Sequence, residues 1–341
     1  MRIRIKDIAS AADVSPAAVS MALNNRPGIG EKTRQKILTI ARSMSYDIER
    51  SSNLLHNKKT TIRFLYISRH GHVVNHEHEV FIANYIDGMS LAAAKFSFAL
   101  EISTIREGSI EEILKAAKSD RIGGVIVLGT ELAKDEMKGL SSINVPMVII
   151  DTYDEVLAYD FVDMNNKESV FTAVAHLVSK GHRDIGFVAS YVVTPNFSMR
   201  AEAFKDAMKY QGLEVRKEFC FQVDSTFEGA YRDMSEALRI QLRLPTALFC
   251  SNDIIAYGCI KALREKAFRI PEDISIIGFD NLPSSAMMEP ALTTIEVSKQ
   301  QIGRLAVQLL NDRMLAKNSQ PTSKILVSGQ LIERASVRKI I

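Results

Sequence analysis

The chain has 341 residues, 46% of them hydrophobic and 24% charged, with a formal net charge of +3. This is ordinary globular composition with material for more than one core, and it excludes a disordered or collagen-like chain. No apolar run reaches the roughly 18 residues that mark a membrane helix. Cys220, Cys250 and Cys259 form no C-x-x-C pair and read as reduced, mostly buried small apolar residues, not as a disulfide or zinc framework.

The first 60 residues carry 11 Lys/Arg against 5 Asp/Glu, which leaves the remaining chain slightly acidic. They enter directly into a polar, charged helical pattern instead of the apolar stretch of a signal peptide, so a cytoplasmic location is expected. Ile8, Ala9 and Ala12 share one face of a helix that starts near Ile5, and Asp13-Val14-Ser15 interrupts it. Ser15 is a helix cap and Pro16 suits a first helical turn, because its nitrogen needs no intrahelical acceptor. In the second helix Val19 and Leu23 point inward, which leaves Pro16, Ala17, Ser20 and Met21 on the opposite side. A third helix is expected over Glu31–Ser45, burying Ile37, Leu38, Ala41 and Met44. This is helix-turn-helix spacing, in which the second helix meets base edges in the major groove of double-stranded DNA. Arg2, Arg4, Lys6, Arg26, Lys32 and Arg34 are the candidate phosphate contacts. Three ordinary helices of a small core are the alternative reading of the same spacing.

From Thr61 onward the pattern changes. Apolar runs at 62–67, 100–103, 124–128 and 146–150 alternate with helical stretches near 81–95, 110–118 and 131–140. A second series follows, with strands at 185–189, 219–223, 247–250 and 274–278 and helices near 168–180, 199–211, 226–240 and 254–267. This is the rhythm of βαβ units in parallel sheets, and it implies two α/β lobes. The expected division is a DNA-binding domain over 1–46, a hinge segment over 47–60 and a core over 61–341. Within the core, 61–165 with 296–322 would form one lobe and 166–292 with 323–341 the other. Ligands of open α/β sheets bind beyond the carboxyl ends of the strands, which places a site in the cleft between lobes.

The stretches IKDIASAADVSPAAVSMALN, LVSKGHRDIGFVAS, PTALFCSNDIIAYGCIKALREKAFRIPEDISIIGFDNLP and PALTTIEVSKQQIGRLAVQLL together resemble the LacI family of transcriptional regulators. The resemblance covers essentially the whole chain. It implies a helix-turn-helix domain followed by a two-lobed core like a periplasmic sugar-binding protein. It further implies a homodimer on operator DNA, controlled by a small-molecule effector, with a sugar expected. Leu55 matches the hinge leucine that the family wedges into the minor groove, where a bent duplex gains contacts that offset unstacking. In the cleft the resemblance places Asn165, Arg200, Asn252 and Asp280 at effector contacts, and Thr130, Thr194 and Asn196 at lining positions. Amide, carboxylate and guanidinium groups suit adjacent hydroxyls.

The chain also departs from the family. Ile48 replaces the usual proline, the Ala-rich hinge becomes Arg50-Ser51-Ser52-Asn53-Leu54-Leu55, and Pro16, Ala17 and Met21 stand where relatives often carry hydrogen-bonding side chains. Asn165 replaces a common aspartate. Ser225 stands where several relatives stack an aromatic on the ligand, a surface that Phe227 or Phe81 would have to supply.

His70, His72, His76 and His78 crowd one short segment with Glu77 and Glu79. They are metal ligands by type, but their spacing fits neither H-E-x-x-H nor a zinc finger; a loop bordering the cleft is the expectation, with no metal and no cofactor. No G-x-G-x-x-G, P-loop or G-x-S-x-G is present, so catalytic residues are not expected. The sequence therefore points to a repressor of carbohydrate-utilisation genes. The alternatives are a purine- or nucleoside-dependent regulator, or a sugar-binding protein without DNA function.

Overall fold

A computed structural model describes residues 5–23, 28–44, 60–69, 71–106, 108–118, 121–241, 243–316 and 321–340. The chain divides into two compact units at Lys59/Thr60.

In the first unit, Ile5–Ala12 (α1), Pro16–Leu23 (α2) and Glu31–Ser43 (α3) bury Ile8, Ala9, Ala12, Val19, Leu23, Ile37 and Ala41 in one core. The turn between α1 and α2 has Asp13 at φ 54, a left-handed conformation that a short polar side chain tolerates. Ser15 accepts from the Ala18 amide at 3.2 Å and starts α2. The third helix ends two residues earlier than its pattern suggests. Ser43 there turns its hydroxyl back onto the Ile40 carbonyl at 2.9 Å, as serine does near helix ends. Residues Arg26, Ile48 and Leu55 lie outside the described residues.

The second unit opens with Thr61–Ser68 (β1), Glu79–Lys95 (α4), Ala99–Arg106 (β2), Ile110–Ala117 (α5), Ile122–Leu128 (β3), Lys134–Gly139 (α6), Met147–Ile150 (β4) and Asp160–Met164 (β5). Asn166–Ser179 (α7), Ile185–Ser190 (β6), Pro195–Tyr210 (α8), Cys220–Val223 (β7), Phe227–Ile240 (α9), Ala247–Cys250 (β8), Asp253–Glu265 (α10) and Ser275–Ile277 (β9) follow. Pro283–Met287 (α11), Thr294–Glu296 (β10), Lys299–Leu315 (α12), Lys324–Val327 (β11) and Gln330–Ile332 (β12) complete it. The first sheet has the order β11-β5-β4-β3-β1-β2 and the second β7-β6-β8-β9, all parallel. Strands such as Ile122–Leu128 are buried on both faces, which explains their unbroken apolar runs.

One boundary differs from the sequence reading, which gave residues 323–341 to the second lobe. Lys324–Val327 instead pairs with Phe161–Met164 in the first sheet. The buried Asp160 carboxylate draws the chain there, accepting from Arg313 Nε and Nη2 at 2.8 and 2.7 Å and from the Ser323 amide at 2.7 Å. Only beyond Val327 does the chain cross back, with Gln330–Ile332 antiparallel to Thr294–Glu296. Two helices also start away from their expected places. α6 begins at Lys134 because the Glu131 carboxylate is held by the amides of Arg69 and Val74. α8 begins at Pro195 because Thr194 caps it, accepting from the Phe197 amide at 3.2 Å.

The helices α4 and α12 approach backbone to backbone. A Cβ at Gly88 would lie 2.0 Å from the Gln300 carbonyl oxygen, and one at Gly303 2.2 Å from that of Tyr85. Gly88→Ala is therefore expected to lower stability by about 1–3 kcal/mol, the usual cost of overpacking a rigid contact. Urea denaturation of the variant checks this, and an unchanged midpoint would contradict the close crossing.

Candidate effector cavity and DNA-facing surface

The parallel sheets direct the carboxyl ends of their strands at a common space, and the residues that follow those ends line it. Thr130 follows β3 and Asp151 follows β4; Thr194 and Asn196 follow β6, Asn252 follows β8 and Asp280 follows β9. Two of these are also helix caps: Asn252 accepts from the Ile255 amide at 2.8 Å, and Thr194 starts α8. The free space between them is only about 40 Å³, well below the roughly 300–1,000 Å³ of small-ligand sites, so a ligand enters only if the walls part. Val73, Val74, Phe81, Ile82 and Phe197 supply its apolar walls.

Arg200, 4% exposed, extends from α8 into this junction. Its Nε donates to Asn166 Oδ1 at 2.8 Å and its Nη1 to the Ser251 carbonyl at 2.7 Å. Its guanidinium carbon lies 3.8 Å from the centre of the Phe279 ring, and Nη2 is 3.7 Å from Asp280. Asn166 passes the network to Asn196, which donates to the Asp151 carbonyl at 3.1 Å. The Asp151 carboxylate accepts from Tyr85 at 2.8 Å and from Thr130. The arginine is thus a buried structural element at the cavity wall and not a surface helix residue.

The carboxyls around it are deprived of water. Burial pushes Asp280 up to about 7; Arg200 opposes the shift and Asp253 adds to it. Asp163, fully buried behind the cavity, is pushed well above its ordinary value by burial and then by Asp151. One Asp280 oxygen, Oδ1, has no hydrogen-bond partner.

Of the seven residues that the resemblance placed in the cleft, Thr130, Thr194, Asn196, Arg200, Asn252 and Asp280 line this cavity. Asn165 does not. It caps α7, accepting from the Glu168 amide at 3.2 Å and donating to the Glu168 carboxylate at 2.8 Å. Asp151, Phe197 and the Val73–Val74 pair were missed, although a carboxylate directly after the apolar run of β4 is a signal for Asp151. Of the two aromatics considered, Phe81 lines the cavity, while Phe227 sits under Lys261, 5.3 Å from its ring centre.

The histidine-rich segment closes one side. His78 lines the cavity, and burial lowers it to about 4, so it is neutral. Its Nε2 accepts from Asn252 Nδ2 at 3.2 Å, a tautomer that leaves Nδ1 to donate to Asn75 Oδ1 at 3.1 Å. The Ser225 hydroxyl donates to the His72 carbonyl, His72 Nδ1 lies 3.1 Å from Asp224, and the Glu77 carboxylate accepts from the Phe227 amide. Among the described residues no group of three His, Cys, Asp or Glu side chains is arranged to hold a metal.

In the first unit Ser15, Pro16 and Ala17 are exposed, and Ser20 and Met21 half-buried, along one side of α2. Arg34 is differently engaged. Its Nη1 donates to the Met21 carbonyl at 3.2 Å, and its Nε lies 3.7 Å from Glu31, so it joins α3 to the end of α2.

A helix-turn-helix unit joined in sequence to a two-lobed α/β core defines a ligand-responsive DNA-binding regulator. Residues 4–47 match the model of bacterial regulatory proteins of the lacI family, and residues 174–337 match a periplasmic binding protein-like domain. The chain is 30% identical over 343 residues to the transcriptional repressor PurR of Glaesserella parasuis serovar 5 (strain SH0165), covering 98% of both chains. Its fold is similar to that of the transcriptional regulator CelR in complex with cellobiose (TM-score 0.72, 21% identity, 98% of this chain and 100% of that one). It is equally similar to the lac repressor dimer bound to operator and the anti-inducer ONPF (TM-score 0.72, 20% identity, 99% and 100%). The chain belongs to the LacI family and is a sequence-specific DNA-binding transcriptional regulator, not an enzyme. No described helix is long and apolar enough to cross a membrane.

A buried, under-paired carboxyl costs stability that a binding site retains for its ligand. Because Asp280 titrates near 7 when folded against 3.8 ordinarily, the folded chain holds a proton that the unfolded chain has released. Its contribution is therefore lost as pH rises from about 4 to about 7. His78, lowered on folding, acts in the opposite direction, losing stability as pH falls from 6.5 to about 4. Asp280→Asn removes only the first effect. Its melting temperature should exceed that of the unsubstituted chain at pH 8 and converge with it near pH 4; a difference independent of pH would contradict the assignment.

Proposed function

We propose that this regulator is a homodimeric repressor of carbohydrate-utilisation genes, released from its operator when an uncharged sugar enters the cavity between its sheets. The carrying observation is the convergence of polar side chains from both lobes on one closed space: Thr130 and Asp151 from the first, Thr194, Asn196, Arg200, Asn252 and Asp280 from the second. Donors and acceptors spread over several walls suit the hydroxyls of a polyol. The Arg200 guanidinium on this lining is already engaged by Asn166 and the Ser251 carbonyl and has the carboxyls of Asp151 and Asp280 around the same cavity, which favours a neutral ligand over a sugar phosphate. A purine or nucleoside is the second reading, favoured by the rings of Phe81 and Phe197 on the same cavity.

On DNA, two copies would each place Ser15, Pro16, Ala17, Ser20 and Met21 in a major groove. Arg26 would contact phosphate and Leu55 would wedge into the minor groove at the centre of a near-palindromic site. Arg34 would keep α2 in place against α3. The effector shifts this equilibrium only by its differential affinity for the two states.

A thermal-shift screen with hexoses, disaccharides, purines and nucleosides tests the effector class, because a ligand of the native state raises its stability. A sugar hit that weakens operator binding is expected, whereas a response to purines alone would establish the second reading. In the Arg200→Lys variant, which keeps the buried charge but not the planar fork, the response to that sugar should weaken at least tenfold while operator binding without ligand persists. An unaltered titration would sink the cavity assignment. For the hinge, Leu55→Ala should weaken operator binding at least tenfold in a gel shift, with the dimer intact in sedimentation.

A further inference from the structure

Connections between strands and helices ordinarily lie on the surface, because a buried backbone amide or carbonyl needs a partner. The connection from β1 to α4 turns inward instead. Gly71 and His76 are exposed, but Val73 and Val74 between them are 8% and 2% exposed, and His78 is buried too. All three line the cavity. The backbone at the deepest point is provided for: the Val74 amide donates to the Glu131 carboxylate at 2.9 Å, and its carbonyl accepts from the Ser68 hydroxyl at 2.6 Å. Asn75 holds the turn in shape, accepting from the Glu77 amide and donating to the Gly71 carbonyl, each at 2.9 Å. Two branched apolar side chains are thus carried on a preformed turn into a cleft whose remaining free space is about 40 Å³.

The turn is fastened to the second lobe at its edges. The His72 carbonyl accepts from the Ser225 hydroxyl, the His72 ring lies 3.1 Å from Asp224, and the Glu77 carboxylate accepts from the Phe227 amide at 3.1 Å. His72, Glu77 and Ser225 do not themselves line the cavity. At the start of the segment Gly71 stands at φ 66, a left-handed conformation that glycine adopts freely, with no atom within 4 Å of where a Cβ would be. The other apolar walls, Phe81, Ile82 and Phe197, belong to the helices α4 and α8 and cannot withdraw alone. An apolar tip with a pivot at one end and polar fasteners beside it can.

From this we infer that residues 71–78 are a tethered plug that competes with the effector. Val73 and Val74 occupy space that the ligand needs, and ligand binding drives the segment out of the cleft. The inference rests on the effector-cavity reading above and adds a means of regulation to it. The apparent affinity is the intrinsic affinity reduced by the fraction of molecules whose plug is out. His72 and Glu77 therefore set the sensitivity of the regulator to its effector without lining the cavity.

The experiment is hydrogen exchange of the full-length protein, read by mass spectrometry, with and without glucose, cellobiose, hypoxanthine and guanosine. The compound that binds should speed exchange over 71–78 at least tenfold while slowing it over Thr194–Arg200, since one wall is expelled as the other is covered. His72→Ala combined with Glu77→Ala removes two fasteners at partly exposed positions. This double variant should exchange faster over 71–78 without any compound, keep the protection of β1 and α4, and bind the same compound at least fivefold more tightly in calorimetric titration. A segment that the bound compound protects together with Thr194–Arg200 would be a fixed wall, and the plug would be overturned with the effector cavity left standing. A double variant that binds no more tightly would overturn it in the same way. Binding of none of the four compounds to either protein would overturn the effector reading and the plug with it.

Discussion

Taking several carboxyls out of water at one junction is costly unless a cation is buried with them, and Arg200 is that cation. Its three nitrogens reach Asn166, the Ser251 carbonyl and the sulfur of Met164, while its plane lies on Phe279. Each partner belongs to a different segment: Met164 ends a strand of the first sheet, Asn166 opens the first helix of the second lobe, and Ser251 and Phe279 follow strands of the second sheet. The same guanidinium that offsets part of the charge of Asp280 therefore also fixes how the ends of the two sheets meet. Through Asn166 and Asn196 it reaches Asp151 on the opposite wall. Arg200, Asn166, Asn196, Asp151, Tyr85 and Thr130 thus form one connected network, and a ligand that displaces any of them acts on both lobes.

Closure has a second component in the segment that follows β1. His72 and Glu77 bind the β7–α9 turn through Ser225, Asp224 and Phe227, and His78 binds the cap of α10 through Asn252. The Glu77 bond to the Phe227 amide satisfies a group that the start of α9 leaves unpaired. An aromatic at Ser225 would occupy the place of a hydroxyl that now ties the lobes together, so the departure from the family pattern goes with a strap that closes the cavity. A ligand of any size must enter while these contacts are open.

The alternation of strands and helices was legible because buried parallel strands need unbroken apolar runs and helices need a 3.6-residue period. Family resemblance pointed to Arg200, Asn252 and Asp280, which line the cavity between the sheets. Asn165, expected in the cleft, caps α7 outside the cavity lining, whereas the caps Asn252 and Thr194 line it; a residue before a helix carries no mark in sequence of which of these it will do. The assignment of Lys324–Val327 to the second lobe failed for a different reason. A short apolar strand carries no mark of which sheet it will join, and the deciding contact is Asp160 with Arg313, more than 150 residues distant.

The cavity also connects to the helix pair α4 and α12. The Lys299 amine, at the start of α12, donates to the Asp280 carbonyl at 2.6 Å and to Glu296 at 3.0 Å, and it lies 5.2 Å from the centre of the Phe81 ring. Phe81 and Ile82, in α4, line the cavity directly. Because Gly88 and Gly303 bring the two helices into backbone contact, little side-chain volume lies between them to absorb strain. A shift of the Asp280 loop therefore reaches α12 through Lys299, and a shift of Phe81 reaches α4, and the two helices respond as one body. A close-packed pair of this kind moves between discrete arrangements more readily than it deforms. On the proposed mechanism, occupancy of the cavity would be passed on as a displacement of this helix pair, 17 residues long on each side.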